Sequence, residues 1–317
     1  MNNIWLNGIM GVVVGDALGV PVEFCDREEL KRGPVEEMEG YGTYNVPAGT
    51  WSDDSSMTLA TLDSLKYGYN PVDIMVKFAE WLVDGKYTPF GETFDVGNTC
   101  FKAIENFLRE RDIATCGRTG ERDNGNGSLM RIMPICLYMY EKQKTENLTD
   151  EEVIEKVHEA SALTHAHMRS KIACGLYFFM VCSIFDHPGN LQERLQIGLD
   201  KGFEYYTTKV ECGKELEHYA RIRNLEVLKY VPENDIRSTG YVVATLEAAL
   251  WSLVRTDSCK DAALTAVNLG DDTDTVAAIA GGLAGLYYGY EGIPGEWRNT
   301  IIKKEEIVTI CEMMEEI

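Results

Sequence analysis

The stretch NLGDDTDTVAAIAGGLAGLYYG, residues 268–289, joins an acidic turn to an apolar segment. Three aspartates, Asp271, Asp272 and Asp274, lie within four positions. The residues that follow are almost all apolar or glycine, which indicates a buried helix. Charge at the start of a buried helix is costly unless something compensates it, so we expect a functional site at this point.

The rest of the chain also has helical periodicity. Apolar side chains recur at three- and four-residue intervals over residues 55–67, before Gly68, and over 71–85. Thr149 and Glu152 have the spacing of a capping box. There is no convincing set of alternating strands. We therefore predict an all-α protein of roughly a dozen helices, folded as a single compact domain over residues 1–317.

The composition narrows the class of protein and its partners. The chain has 317 residues, of which 45% are hydrophobic, and a formal net charge of −21. Such an acidic balance argues against nucleic acid and anionic membranes as partners, but does not exclude a small anion. The apolar run 172–185 is too short to span a bilayer comfortably, so we expect a core helix there.

The cysteines and the N-terminus suggest where the protein works. Nine cysteines occur at irregular spacing and without a C-x-x-C pair, which indicates reduced, mostly buried thiols. The first residues, MNNIWLNGIMGVVVGDALG, lack a basic flank and a small-residue cleavage site, so they make a poor secretory signal. We expect a cytoplasmic protein.

A second acidic turn, TWSDDSSMTLATL at 50–62, repeats the layout of the first. Ser52, Asp53 and Asp54 come just before a helix that Ser55 or Ser56 could cap. One acidic cap is unremarkable, since such a residue contributes roughly 1 kcal/mol. If both turns meet, however, like charges about 4 Å apart cost on the order of 4 kcal/mol, which calls for protons or a cation. Carboxylate and hydroxyl oxygens favour Mg²⁺, Mn²⁺ or Ca²⁺.

Other acidic motifs fit these turns less well. An EF-hand loop starting at Asp272 would need Gly and Glu where Ala277 and Leu283 stand. Residues 272–276 resemble the aspartyl-phosphate motif of haloacid dehalogenase-like phosphatases, but that motif ends a strand in an α/β chain. Residues 53–57 resemble the aspartate-rich motif of the all-α terpene synthases, but its last acid is replaced by Met.

A glycine-bearing stretch, RDNGNGSLMRIMPI at 122–135, is a candidate anion site. We expect Gly125, Asn126, Gly127 and Ser128 to precede a helix, where small residues let backbone N–H groups approach a phosphate or pyrophosphate. An ordinary turn is the alternative.

The first apolar segment, GVVVGDALGVPVEF at 11–24, ends in an acid. Gly15, Asp16 and Gly19 indicate close backbone packing at a helix end. Glu23 is either a solvated surface acid or a desolvated carboxyl suited to proton transfer. The polar loops 25–50 and 110–127 are expected to form parts of a site.

Seven short motifs occur in a fixed order along nearly the whole chain. They are GDALGxPxE (15–23), TWSDD (50–54), FDVGNT (94–99), GNGSLMR (125–131), LTH (163–165), STGYVVATLEAALW (238–251) and GDDTDT (270–275). Each alone is weak. Together they resemble the ADP-ribosylglycohydrolase family, in particular its bacterial dinitrogenase reductase-activating type. Ser52 stands where many relatives have Thr, and 25–50, outside the motifs, is expected to carry substrate preference.

The resemblance implies an all-α enzyme with two Mg²⁺ or Mn²⁺ ions and a set of site residues. The implied metal ligands are Ser52, Asp53, Asp54, Asp272, Asp274 and Thr275. The implied diphosphate cradle is Asn126, Gly127 and Ser128. His165 would lie near the nucleotide and Tyr241 would stack on adenine, although both positions also suit purely structural side chains. Asp95 and Glu23 would be the general acid and the general base, and the resemblance does not decide which residue takes which role.

The activity implied by the resemblance is cleavage of the ribose C1″ bond of ADP-ribosylated substrates, with arginine on proteins favoured. The partner would be an ADP-ribosylated protein or a small ADP-ribose compound, and neither nucleic acid nor a membrane is expected. Serine-linked or O-acetyl-ADP-ribose are alternative substrates. A non-catalytic ADP-ribose binder or a lens-crystallin-like relative is a third possibility, which the clustered carboxylates disfavour because a structural protein gains nothing from them. A terpene-synthase-like function is the weakest alternative.

Overall fold

The computed structural model describes residues 3–315. In this range the secondary structure consists of helices, with isolated bridges and no strand, which confirms the all-α class. The α-helices are α1 Ile4–Gly19, α2 Arg27–Leu30, α3 Asp53–Leu65, α4 Pro71–Asp84, α5 Asn98–Glu110, α6 Ile113–Cys116, α7 Met133–Glu146, α8 Asp150–Ala162, α9 Met168–Asp186, α10 Leu191–Thr207, α11 Gly213–Leu216, α12 Leu225–Lys229, α13 Val242–Val254, α14 Cys259–Val267, α15 Thr273–Tyr288, α16 Gly295–Thr300 and α17 Lys304–Glu315. Short 3₁₀ turns are Val20–Val22, Gly42–Tyr44, Glu121–Asp123, Val210–Cys212, Glu217–Ile222, Glu233–Asp235 and Tyr290–Gly292.

Local sequence signals account for many of the helix boundaries. The capping box before α8 is present as predicted: Thr149 Oγ1 accepts from the Glu152 N–H at 3.3 Å, and the Glu152 carboxylate accepts from the Thr149 N–H at 2.8 Å. The Asn70 side chain caps α4, which ends at Gly85 with a positive φ of 67°. These boundaries are therefore fixed by residues next to the helices themselves.

Helices α1 and α15 form the centre of the fold. A Cβ on Gly11 would lie 2.2 Å from the Gly281 carbonyl oxygen, and one on Gly15 would lie 2.1 Å from that of Ala277. Only glycine permits backbones to approach this closely. The close packing expected at Gly15 and Gly19 is confirmed, since a Cβ on Gly19 would lie 2.3 Å from the Asp274 Cα. The contact brings the first and last motifs of the chain together.

Two segments, Ile4–Val22 and Met168–Asp186, are long and apolar enough to cross a membrane by length and composition. Their most apolar windows are 89% and 83% buried inside the protein. Packing against other helices therefore accounts for their composition. The expectation that 172–185 belongs to a core helix is confirmed.

The nine cysteines are all free, as predicted. Eight of them are buried, and Cys25 is partly exposed. Cys25 is therefore the thiol most accessible to reagents in solution.

The start of α3 differs from the prediction that Ser55 or Ser56 would cap it. The helix begins at Asp53, and Ser52 is the N-cap residue. The Ser55 hydroxyl instead donates to the Asp16 carboxylate at 2.5 Å, and the Ser56 hydroxyl donates to the Ser52 carbonyl at 2.8 Å. The prediction was wrong because a carboxylate from α1 satisfies the N–H groups of this turn.

Candidate active site

The two acidic turns meet, because α3 and α15 begin at the same place in the fold. The Thr275 hydroxyl, on α15, donates to Asp54 Oδ2 at 3.2 Å. The Ser52 hydroxyl donates to the same oxygen at 3.4 Å. Asp272 and Asp274 each place a carboxylate oxygen within 4.8 Å of the other's and of one from Glu23. One small volume therefore contains carboxylates from three distant segments.

Four aspartates of this carboxylate cluster are buried and have no basic partner. Their exposed fractions lie between 1% and 9%, for Asp53, Asp54, Asp272 and Asp274. Within residues 3–315, no lysine or arginine forms an ion pair with any of them. Burial, followed by repulsion from neighbouring carboxylates, raises the pKa of Asp54 and of Asp274 well above the usual range.

Two oxygens of the cluster have unmet bonding capacity. Asp54 Oδ1 and Asp274 Oδ2 are buried without a hydrogen-bond partner in the described part of the chain. Such atoms are rare in native proteins and call for a further partner, such as a water molecule or an ion. The surrounding donors are carboxylate and hydroxyl oxygens, which suit a hard divalent cation. The residues present therefore fit a metal site.

Asp16 is a fully buried carboxylate whose part in the site was not predicted. It accepts hydrogen bonds from the Ser52 N–H at 2.9 Å and from the Ser55 N–H at 2.9 Å. Burial raises its pKa to about 6, although these hydrogen bonds and that of the Ser55 hydroxyl act to lower it. Asp16 thus holds the first turn of α3, and with it Asp53 and Asp54, against α1.

The predicted acid and base, Glu23 and Asp95, lie beside each other. Burial, followed by the charge of Asp95, raises the pKa of Glu23 to about 9. The Tyr44 hydroxyl donates to Glu23 Oε2 at 2.7 Å, and the Tyr44 ring packs 5.1 Å from that of Phe94. Tyr44 comes from the loop 25–50, so that loop does contribute to the site. Glu23 also lies beside the candidate metal ligands Asp272 and Asp274. Its sequence context did not indicate that it would contact both Asp95 and this group.

The stretch Gly125–Ser128 forms a tight turn in which the Asn126 carbonyl accepts from the N–H groups of Leu129 and Met130, at 2.7 and 3.0 Å. A helix, α7, does follow this stretch, but it begins only at Met133, so residues 129–132 separate the turn from the helix N-terminus. The reason is that residues 126–132 close on themselves through these turn bonds. Nevertheless, no acceptor within residues 3–315 takes the N–H groups of Gly127 and Ser128.

The side chains of this turn have structural partners. The Asn126 amide donates to Asp272 Oδ2 at 2.8 Å and to Thr245 Oγ1 at 3.0 Å. The Ser128 hydroxyl lies in the core, 2.9 Å from Ser161 Oγ. Asn126 therefore orients a carboxylate of the cluster, and the Ser128 side chain has a structural role in the core.

His165 and Tyr241 flank the same turn. His165 is buried and neutral, because burial and then the charge of Arg131 lower its pKa to about 3. A Cβ on Gly127 would lie 2.9 Å from the His165 ring, so this position requires glycine. The Tyr241 backbone pairs with that of Gly125, and its ring lies 5.8 Å from the Arg169 guanidinium. Tyr241 is partly buried and packs against the edge of the core.

A cleft of about 370 Å³ connects the glycine turn to the carboxylate cluster. Of the predicted site residues, those lining it are Glu23, Asp53, Asp95, Asn126, Gly127, His165, Asp272 and Thr275. Ser52, Asp54 and Asp274 belong to the buried side of the cluster, and Tyr241 adjoins the cleft through Gly240. The structure thus assembles acids at one end of a cleft and free backbone N–H groups at the other.

Comparison with known proteins agrees with this geometry. The family model described as ADP-ribosylglycohydrolase matches residues 5–317. The chain belongs to the ADP-ribosylglycohydrolase family. It is 31% identical to ADP-ribosylarginine hydrolase Tri1 of Serratia proteamaculans over 96% of this chain and 77% of the relative. It is 32% identical to ADP-ribosyl-[dinitrogen reductase] glycohydrolase of Rhodospirillum rubrum over 95% of this chain and 91% of the relative.

The fold is that of an ADP-ribosylglycohydrolase as well. A solved structure titled ADP-ribosylglycohydrolase-related protein complex superposes with a TM-score of 0.78, at 27% identity, over 99% of this chain and 98% of the other. This ADP-ribosylglycohydrolase is therefore a hydrolytic enzyme, and its carboxylate cluster is a group of residues able to hold a metal ion. The resemblance inferred from the seven motifs is confirmed.

Proposed function

We propose that this enzyme removes ADP-ribose from arginine side chains of proteins, with two Mg²⁺ or Mn²⁺ ions as cofactors. The observation that carries the proposal is the convergence of Asp54, on α3, and Asp274, on α15, into one buried cluster with two unpartnered oxygens. The names of the two bacterial relatives, which specify arginine and dinitrogen reductase, support a modified protein as the substrate.

The metal ligands in this proposal are those implied by the motifs, which are Ser52, Asp53, Asp54, Asp272, Asp274 and Thr275. Asp16 and Asn126 position them, because their hydrogen bonds fix the first turn of α3 and the carboxylate of Asp272. When bound, the ions supply orientation of the distal ribose and a lowered pKa of water. Glu23, close to Asp272 and Asp274, is a further candidate ligand.

Proton transfer in this proposal belongs to Glu23 and Asp95. Hydrolysis breaks the bond between C1″ and the leaving nitrogen, and water supplies a hydroxyl group to carbon and a proton to the departing guanidine. One carboxyl of a pair can donate the proton to nitrogen while the other accepts one from water. Tyr44 positions Glu23 for this transfer by its 2.7 Å hydrogen bond.

The glycine turn binds the diphosphate in this proposal. The N–H groups of Gly127 and Ser128, which have no acceptor among the described residues, are suited to phosphate oxygens. The His165 ring packs against Gly127 of this turn. Binding at this distance from C1″ holds the ribose in place for reaction. Tyr241, which follows the cleft residue Gly240, stacks on the adenine ring in this proposal.

The setting of the reaction is also part of the proposal. The free thiols support a reducing compartment, and we place the enzyme in the cytoplasm. The net charge of −21 supports a partner other than nucleic acid or an anionic membrane. The whole chain, 1–317, would act as one domain.

The deciding experiment compares three linkages. The enzyme is incubated with arginine-linked, serine-linked and O-acetyl-ADP-ribose, with Mg²⁺ or Mn²⁺ and with EDTA, and released ADP-ribose is measured. We expect turnover of the arginine linkage that EDTA abolishes. Preference for serine-linked or O-acetyl substrate would contradict the arginine assignment, and binding of all three without turnover would contradict catalysis.

A further inference from the structure

A second cavity, of about 490 Å³, adjoins the catalytic cleft. Phe24 lines both, so its side chain stands on the wall between them. The second cavity contains none of the residues assigned above to metal, diphosphate or proton transfer. Its own lining includes Cys25, Arg237 and Asp271.

In three separate segments of the chain, one residue lines the catalytic cleft and the residue next to it lines the second cavity. Asp272 lines the cleft and Asp271 the second cavity; Gly240 lines the cleft and Thr239 the second cavity; Phe24 leads directly to Cys25. Consecutive Cα atoms are about 3.8 Å apart. The second cavity therefore begins about one residue away from Asp272, a carboxylate that lines the catalytic cleft.

The wall between the cavities has an unusual backbone. Phe24 and Asp271 both have positive φ, 64° and 65°, which non-glycine residues rarely adopt. The Phe24 N–H donates to the Asp271 carbonyl at 2.7 Å, and the Asp271 N–H donates to the Cys25 carbonyl at 2.9 Å. These bonds hold the Phe24 side chain outward, 64% exposed. Within residues 3–315, no donor bonds to the Asp271 carboxylate.

We propose that the second cavity binds the polypeptide segment that flanks the ADP-ribosylated arginine of a substrate protein. The inference rests on the proposed function. An acid that protonates the leaving nitrogen must lie within hydrogen-bond reach of it. Glu23 is such a candidate and is followed directly by Phe24, whose exposed ring lines both cavities, so a leaving group at Glu23 lies next to the entrance of the second cavity. An exposed aromatic ring and the Asp271 carboxylate, which faces the charge of Arg27 but accepts no hydrogen bond from the described residues, suit the methylenes and the guanidinium of arginine.

Cys25 allows the cavity to be blocked without changing the sequence. The purified enzyme is treated with fluorescein maleimide at mildly alkaline pH, and mass spectrometry is used to select protein with a single adduct on Cys25. The eight buried thiols are protected. Hydrolysis is then measured on an arginine-ADP-ribosylated protein and on free ADP-ribosyl-arginine, which has no flanking chain.

We expect kcat/KM for the protein substrate to fall about tenfold or more, and that for free ADP-ribosyl-arginine to stay within about twofold. Cys25→Ser, treated identically, should keep both activities. Arg237→Trp, which fills the exposed side of the cavity, should reproduce the selective loss without any label.

Equal losses on both substrates, or no loss on either, would overturn the inference while leaving the proposed function intact. Unmodified enzyme that hydrolyses neither substrate would refute the proposed function, and the inference with it. The two failures are therefore distinguishable in the same assay.

Discussion

Helix α3 has aspartates at both ends, and the surroundings of these aspartates shift their pKa values in opposite directions. Asp63, near the C-terminal end, accepts from Lys66 at 2.5 Å and from Lys77 and Tyr87 at 2.7 Å each. Burial acts to raise its pKa, but these donors outweigh it and lower the pKa to about 2. Asp54, at the other end, has no basic partner among the described residues, and its pKa is raised by burial and by neighbouring acids.

The difference separates a structural carboxylate from a functional one. Lysines surround Asp63, so its charge is compensated in the folded protein itself. The charge on Asp54 and its neighbours has no such compensation, so it has to be relieved by bound protons or, in the proposed function, by a cation from solution. The cluster is therefore a place where the folded protein gives up stability to bind a ligand.

The largest effect is expected from Asp274→Asn. We expect hydrolysis to fall by at least about 100-fold, more than for changes outside the direct ligands, because the amide cannot bind a cation as the carboxylate does. The amide oxygen can still accept from the Thr275 N–H, as Asp274 Oδ1 does at 2.8 Å. Initial rates at saturating Mn²⁺ and Mg²⁺ would measure the change.

The matched control is Asp63→Asn, on the same helix and of the same chemistry. Its rate should stay within about twofold of the unaltered enzyme, since Asp63 contacts only structural partners. Full activity in Asp274→Asn would contradict the assignment of the cluster as a metal centre.

The second expected effect is stabilisation by divalent cations. A cation at about 100 times its dissociation constant should raise the free energy of unfolding by about 2.7 kcal/mol, because it binds the folded chain alone. Thermal denaturation with EDTA, Mg²⁺ and Mn²⁺ would show the shift. Asp63→Asn should retain it and Asp54→Asn should lose most of it; an equal shift in both variants would place the ion elsewhere.

The third effect is a pH dependence of the metal-free enzyme that has opposite signs for the buried acids Asp16 and Glu23 and for Asp63. The folded pKa of Asp16 is about 6 and that of Glu23 is about 9, both raised, so the folded state holds protons that the unfolded chain releases near pH 4. Their contribution to stability is present below about pH 4 and is lost as pH rises through about 6 and about 9.

Urea denaturation in EDTA at several pH values would measure this trend. Saturating Mg²⁺ should weaken it, since a bound cation favours the ionised carboxylates. Metal-free stability that rises steadily from pH 5 to pH 9 would show that other groups dominate and that the cluster is not strained by its charge.

The smallest effect belongs to Asp63→Asn. We expect a loss of about 1–2 kcal/mol at pH 7, allowing for solvent screening of a partly exposed group. The folded pKa is depressed, so the stabilisation is present above the unfolded pKa of about 4 and disappears as pH falls through about 2. Denaturation of both proteins at pH 7 and pH 2 would test this, and a gap that persists at pH 2 would point to packing instead.

The sequence predicts the helices well because their signals are local. Apolar spacing, the Thr149–Glu152 box and the acidic turns all act within a few residues, so α4, α8 and α15 are recognisable without coordinates. The predicted metal site required the two acidic turns to meet, and the contact between Thr275 and Asp54 shows that they do.

The missed features all depend on contacts between distant segments. Asp16 lies inside an apolar helix, and nothing near it in the sequence indicates that it caps α3. Tyr44 was hidden in a loop without a motif, although its partner Glu23 had been singled out. The bond from Asn126 to Asp272 joins residues 146 positions apart. Such pairings are set by the packing of whole helices, which a local pattern does not encode.

The glycine contact between α1 and α15 has a consequence for synthesis on the ribosome. Gly15 and Ala277, which touch there, are 262 positions apart. At roughly 5–20 residues per second, the first helix emerges many seconds before its partner exists. During that interval the strongly apolar α1 lacks its main packing partner, and the acidic turn at Ser52–Asp54 lacks the one at Asp272–Thr275. The candidate site is consequently complete only after α15 has been synthesised.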